Sequence, residues 1–281
     1  MKKIFGQLNM TWLKVILFAV ITGVYTGLIN QVSFLLDTSF RDIAICFECW
    51  VLFAVIIAVN CKKPLEAGLK VFVFFLISQP LVYLVETPFV GPSVWSYYHY
   101  WFIMTLLTFP GGMLANLVKK KNLLGTLILS CALIILSVEA VSHSFQAMAD
   151  FPHHLLSALF SLALIICFII VLIDKVKLRM VAIAITVLAI VSYVGFMLNT
   201  NDSVAFSLPE EGEWTYEVKV DDNNSHIEVF GDYFTYTYKR YFVADNEITF
   251  TNHTTDKVVV YEVKMNREKN IVDIVEVGME K

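Results

Sequence analysis

Several ionisable side chains lie in or beside long apolar segments, where an uncompensated charge is costly and indicates a function or a specific partner. The deepest is Glu48, which follows Asp42 by six residues, or about 9 Å along a helix. Two interpretations stay open: a functional ionisable group, or a structural one that is paired with Arg41 or is protonated and hydrogen bonded. One candidate polar site comprises Arg41, Glu48, Glu86, His99, Glu139, His143, His153 and His154.

The spacing of Glu139 and His143 places both side chains on one face of a helix, because residues four apart are neighbours there. Together with the other histidines they could converge on a metal ion, since imidazole and carboxylate groups suit zinc and similar ions. No specific ligand motif accompanies them. The spacing therefore predicts no particular metal and no cofactor.

The segment Cys46-Phe47-Glu48-Cys49 has the C-x-x-C spacing of redox and metal motifs. That spacing acquires its usual meaning beside a βαβ pattern or with a second cysteine pair. Here it lies in an apolar helical segment, so the pattern favours two buried small hydrophobic residues.

A second candidate feature is a pair of proline-containing apolar segments. A proline removes a helical hydrogen bond and leaves a backbone carbonyl available to a neighbour, a water molecule or an ion. Kinked or broken helices of this kind are typical of transporter sites, although proline is also common in membrane helices. The residues of this mid-membrane group are Gln79, Pro80, Thr105, Thr108 and Pro110.

The composition assigns these residues to a membrane protein. Hydrophobic residues make up 57% of the 281 residues and charged residues 16%, against roughly 45–50% and roughly 25% in soluble domains. Each apolar run is close to the length that crosses a bilayer. The seven predicted spans are 12–29, 43–60, 70–85, 100–118, 123–142, 154–173 and 180–198.

Basic residues alternate between the connections of these spans. Eleven Lys and Arg residues fall on one side, and the opposite loops carry only Arg41. Because basic loops stay in the cytoplasm during insertion, the pattern predicts a cytoplasmic amino terminus and an extracytoplasmic carboxyl terminus. With this orientation the candidate polar site lies in the outer part of the bundle.

The carboxyl-terminal part has a different character. Up to residue 200 the net charge is +5, and after it −9. From Trp214 onward, apolar and polar residues alternate as in half-buried strands, separated by turn-forming residues. We therefore predict a helical bundle over 1–200, a linker over 201–212 and a small antiparallel β-sandwich-like domain over 213–281.

Three stretches resemble a family of bacterial multi-pass membrane proteins with no assigned activity: 40–43, 98–111 and 151–157. The resemblance covers most of residues 10–200 and not clearly the tail. It implies a bacterial cytoplasmic membrane, and it carries no residue role over to this chain.

These patterns favour a non-enzymatic membrane protein, in contact with the lipid bilayer and not with nucleic acid. Its outer β-domain would bind an envelope component or a partner protein. One alternative is a transporter or channel with a polar site in the outer half of the bundle. A second is an intramembrane or interfacial metal-dependent enzyme, although no nucleophile-elbow, zinc or phosphate-loop motif is present.

Overall fold

The structure is a computed structural model that describes residues 4–36, 38–149, 151–220, 223–239, 245–266 and 271–280. Lys2, Lys3 and parts of the predicted β domain (221–222, 240–244, 267–270 and 281) lie outside the described residues. The chain divides into two units, Met1–Tyr193 and Val194–Lys281. We call them the helical unit and the β unit.

Eight α-helices occur in the described part of the chain, and six are long and apolar enough to cross a membrane. A further candidate span consists of α2 and α3, which are bent by 46° at a short break. The helices are α1 Trp12–Ile29, α2 Ser39–Ile45, α3 Phe47–Val59, α4 Pro64–Val90, α5 Tyr98–Asn116, α6 Leu123–Ala149, α7 Leu155–Leu172 and α8 Val176–Leu198.

The break between α2 and α3 lies at Cys46, whose backbone is extended, with φ −79° and ψ 173°. Neither Pro80 nor Pro110 ends its helix, because α4 is helical through Pro80 and α5 through Pro110. One proline removes only one hydrogen bond, and α1 packs tightly against α4 around Pro80.

Glycines produce this tight packing. A Cβ atom added to Gly23 of α1 would lie 2.5 Å from the carbonyl oxygen of Ser78, and one on Gly27 would lie 2.8 Å from that of Val82. These glycines form a G-x-x-x-G pattern that lets two helix backbones approach closely. The α1 backbone therefore supports α4 on both sides of Pro80.

The connections of the helical unit collect at two ends. At one end, a cavity of about 770 Å³ is lined by residues of the amino-terminal segment together with Lys62, Lys119, Lys121 and Asp174. The predicted basic connections thus meet at the same end. The turn before α2 and the turn before α7 also meet, since the Ser39 N–H donates to the His153 carbonyl at 2.8 Å.

The β unit contains two antiparallel sheets within the described residues, with strand orders β1-β4-β3 and β2-β5-β6-β7. Their inner faces share one core, in which the rings of Phe234 and Phe250 lie 4.5 Å apart. The antiparallel β character predicted for the tail is confirmed. The strands are β1 Asn201–Ser207, β2 Trp214–Val218, β3 Ser225–Phe230, β4 Tyr233–Lys239, β5 Asn246–Asn252, β6 Lys257–Asn266 and β7 Ile271–Glu280.

The predicted linker over 201–212 differs from the structure, because residues 201–207 form β1. Val204 and Phe206 of β1 lie opposite Tyr236 and Phe234 of β4 and pack against the core. Two apolar residues at alternate positions are enough to bury one face of a short strand. The first strand was missed because polar residues surround this pair.

Candidate functional site

The break at Cys46 lies between two polar networks. Arg41 and Asp42 are neighbours on α2, and their side chains join different groups of helices. Arg41 contacts the α1 and α4 side, whereas Asp42 contacts α7. We call the network around Asp42 and Glu48 the acid–histidine centre, and it comprises Asp42, Cys46, Glu48, Glu139, His143 and His154.

Asp42 connects α2 to α7. Its Oδ2 atom lies 2.7 Å from Nδ1 of His154 and accepts a hydrogen bond from the Ser157 hydroxyl at 3.0 Å. The Ser39 hydroxyl donates to the His153 carbonyl, also across the two elements. These contacts hold the short helix α2, and with it the break, against the start of α7.

Glu48 lies in the first turn of α3 and is 0% exposed. Its Oε1 atom accepts a hydrogen bond from the Ser161 hydroxyl of α7 at 2.8 Å. The same oxygen lies 2.8 Å from Nε2 of His143 on α6. One carboxylate therefore contacts side chains of two neighbouring helices.

Glu139 approaches the same imidazole from one helical turn earlier on α6, with its Oε2 atom 3.7 Å from Nε2 of His143. The backbone N–H of Phe47 lies near the Glu139 carboxylate. That N–H belongs to the amino-terminal turn of α3, where free N–H groups and the helix dipole favour negative charge. The break between α2 and α3 thus creates a helix end beside a carboxylate.

Two buried atoms of the centre lack a hydrogen bond among the described residues: Oε2 of Glu48 and Nε2 of His143. The distance of 2.8 Å between Nε2 of His143 and Oε1 of Glu48 is short enough for an ion pair. The direction of an N–H at Nε2, however, does not satisfy hydrogen-bond geometry. We therefore treat this contact as a close approach of polar atoms and not as a formed hydrogen bond.

The other nitrogen of His143 has a partner. Nδ1 lies 3.1 Å from Oε1 of Gln146, which favours the tautomer with the proton on Nδ1 and the lone pair on Nε2. Nε2 then lies 2.8 Å from a carboxylate oxygen of Glu48 and 3.7 Å from one of Glu139. Three carboxylates share the centre with two imidazoles, so a bound cation would offset negative charge that is expensive in a low-dielectric site.

Comparison of the chain with protein-family models, curated proteins and solved structures finds no match.

The second network lies on the Arg41 side of α2. Arg41 Nε donates to Oδ1 of Asn30 at 2.8 Å, and Nδ2 of Asn30 donates to Glu86 at 2.5 Å. These residues line a cavity of about 320 Å³ that extends to Gln79. Arg41 and Glu48, whose pairing was one of two interpretations of the sequence, contact separate partners, and the bend at Cys46 interrupts the helical periodicity between them.

The remaining residues of the two predicted sites do not contribute their side chains to the acid–histidine centre. His99 is exposed on α5, and His153 contributes its backbone carbonyl, with its side chain exposed. The hydroxyls of Thr105 and Thr108 donate to carbonyls of their own helix, those of Trp101 and Thr105. Both threonines also line an apolar cavity of about 400 Å³, which offers little to a polar solute.

Sequence reasoning named His154 but missed Ser157 and Ser161 of α7. His154, Ser157 and Ser161 follow one another at spacings of three and four, which places them on one helix face. A polar stripe on an otherwise apolar helix is a usable signal. In the structure, this stripe faces Asp42 and Glu48.

We predict that Ser161→Ala lowers the stability of the protein more than Ser137→Ala does. Both serines are fully buried and bond to a carbonyl of their own helix, but only Ser161 also donates to Glu48. Removing that donor from a buried carboxylate costs about 1 to 3 kcal/mol. Thermal unfolding in detergent micelles measures the difference, and equal melting temperatures for the two variants would contradict it.

Proposed function

We propose that the protein is a multi-pass protein of the bacterial cytoplasmic membrane. In this arrangement α2 and α3 together form one of seven spans, the amino terminus is cytoplasmic and the β unit is extracytoplasmic. The support is the collection of basic connections at one end of the helical unit, since basic loops remain cytoplasmic. The acid–histidine centre then lies in the outer half of the bundle.

Alkaline phosphatase fusions test this topology, because the enzyme is active only outside the cytoplasm. A fusion after Lys281 is expected to be active and one after Lys121 inactive. The reverse pattern, or two equally active fusions, would refute the proposed orientation.

The helical unit, in this proposal, transports a cation through the acid–histidine centre. The observation that carries the proposal is Glu48, a fully buried carboxylate beside a break in an apolar span. Ionisable groups inside membrane segments mark ion and proton pathways, and interrupted helices form the ion sites of many transporters. The surplus of carboxylates over imidazoles favours a cationic solute.

We expect purified protein in liposomes to conduct at least one cation, and Glu48→Gln to reduce that flux at least tenfold. The amide keeps the size of the side chain and removes its charge. Uptake is measured with internal indicators for protons, for Na⁺ and K⁺, and for Zn²⁺. Size-exclusion chromatography before reconstitution checks that the variant remains folded.

The matched control is Glu217→Gln, the same change at an exposed position of the β unit. It is expected to leave the flux unchanged. Equal fluxes of every cation in wild type and Glu48→Gln would rule out the transport proposal, and so would the absence of any flux above empty liposomes.

A second candidate function is recognition of an envelope component or partner protein by the β unit. The specific observation is an exposed aromatic pair, Phe230 and Tyr233, with ring centroids 6.0 Å apart beside the β3–β4 turn. Exposed aromatic groups are enriched at binding sites, because they bury large areas with few rotatable bonds.

A fragment of residues 199–281 is expected to fold and to be retained by isolated cell envelopes. It includes β1, which a fragment starting at 213 lacks. Replacing Phe230 and Tyr233 by alanine is expected to abolish retention while circular dichroism stays unchanged. This second function would be contradicted if cell envelopes do not retain the folded fragment, or if they still retain the fragment with both replacements.

A further inference from the structure

The acid–histidine centre offers a mixed set of metal-ligand atoms. The sulfur of Cys46, carboxylate oxygens of Glu48 and Glu139, and a ring nitrogen of His143 all lie within 4.8 Å of one another. Four ligand atoms at about 2.0 to 2.3 Å from a zinc ion are separated by roughly 3 to 4 Å in a tetrahedral site. The existing spacing thus needs only small side-chain adjustments to enclose an ion.

The atoms without hydrogen bonds give a second and independent indication. The Glu48 side chain is 0% exposed and that of His143 is 3% exposed, yet Oε2 of one and Nε2 of the other have no hydrogen bond among the described residues. Buried polar atoms are nearly always paired. These two exceptions occur in one cluster, and each atom is a metal donor in its usual ionisation state.

The surrounding contacts orient these donors. Gln146 contacts Nδ1 of His143, Ser161 donates to Oε1 of Glu48, and the Phe47 N–H lies near Glu139. Metal-binding side chains regularly form such contacts through the atoms that do not bind the metal. These contacts fix the tautomer of a histidine and orient the atom that binds the ion. Here they leave Nε2 of His143 and Oε2 of Glu48 available.

The geometry at Nε2 of His143 is compatible with a bound metal ion. A proton on Nε2 would have to point at a carboxylate oxygen to form a hydrogen bond, and the described orientation does not provide that alignment. A metal ion would lie along the lone-pair direction of Nε2, and the carboxylate oxygens could bind it from beside that direction. The close approach of Nε2 and Glu48 Oε1 would open slightly to admit the ion.

The chemistry of the donors narrows the choice of ion. Calcium and magnesium favour sites built from oxygen atoms alone. A thiolate, an imidazole and carboxylates together suit a borderline divalent ion such as Zn²⁺ or Co²⁺. Asp42 and His154, which bond to each other at 2.7 Å, lie beside this set and are not required as ligands.

We propose that Cys46, Glu48, Glu139 and His143 bind one divalent transition-metal ion of the Zn²⁺ class, and that this ion is the cation that the helical unit transports. The inference that this ion is the transported cation rests on the proposed transport function. The inference that the four side chains bind the ion does not depend on that function.

The test is equilibrium dialysis of the full-length protein in detergent against Zn²⁺, after treatment with a chelator, with metal analysis of the protein fraction. One ion per chain is expected. Cys46→Ser and His143→Gln are each expected to weaken binding about 100-fold, while Ca²⁺ and Mg²⁺ in excess do not displace Zn²⁺. Size-exclusion chromatography confirms that each variant is folded.

Matched controls exist for both changes. Cys131→Ser and His99→Gln alter an exposed cysteine and an exposed histidine outside the centre, and both are expected to keep wild-type affinity. The absence of stoichiometric Zn²⁺ binding would overturn the proposal. Equal affinity of His143→Gln and His99→Gln, or of the two cysteine variants, would also overturn it.

The binding and flux experiments separate the two proposals. Zn²⁺ binding that depends on His143, without any cation flux, would retain the metal site and refute transport. Flux of another cation that depends on Glu48, without Zn²⁺ binding, would refute the metal site alone.

Discussion

The burial of the Glu48 carboxylate is the constraint to which the rest of the helical unit responds. An ion in an apolar interior must be hydrogen bonded, paired with opposite charge or neutralised. The Ser161 hydroxyl of α7 provides part of that compensation. Oε2 of Glu48 and Nε2 of His143 lack hydrogen bonds among the described residues, and this deficit is the physical reason for expecting a cation.

The break at Cys46 makes this arrangement possible. A continuous helix through 39–59 would place Arg41 and Glu48 on similar faces, whereas the 46° bend separates their networks. It also exposes the amino-terminal N–H groups of α3, one of which contacts Glu139. Proline is not the cause of this break. The extended backbone at Cys46 is held by the contacts of Asp42 with α7.

The apolar helices could be predicted from the sequence, because the length of a hydrophobic run is a local property. Alternation of apolar and polar residues likewise predicted most strands of the β unit. The break was not predictable, because neither proline nor glycine marks Cys46. Glu139 and His143 were recognised as neighbours on one helix. Their convergence with Glu48 depends on how α3, α6 and α7 pack, which no spacing along the chain specifies. The polar stripe on α7 was the overlooked signal.

X-ray absorption spectroscopy at the zinc edge, on purified protein loaded with one equivalent of Zn²⁺, shows directly whether the acid–histidine centre binds the ion. We expect one sulfur ligand at about 2.3 Å, with nitrogen and oxygen ligands at about 2.0 to 2.2 Å. Cys46→Ser should remove the sulfur contribution, and Cys131→Ser should not. Coordination by oxygen alone, or a sulfur contribution that persists in Cys46→Ser, would contradict it.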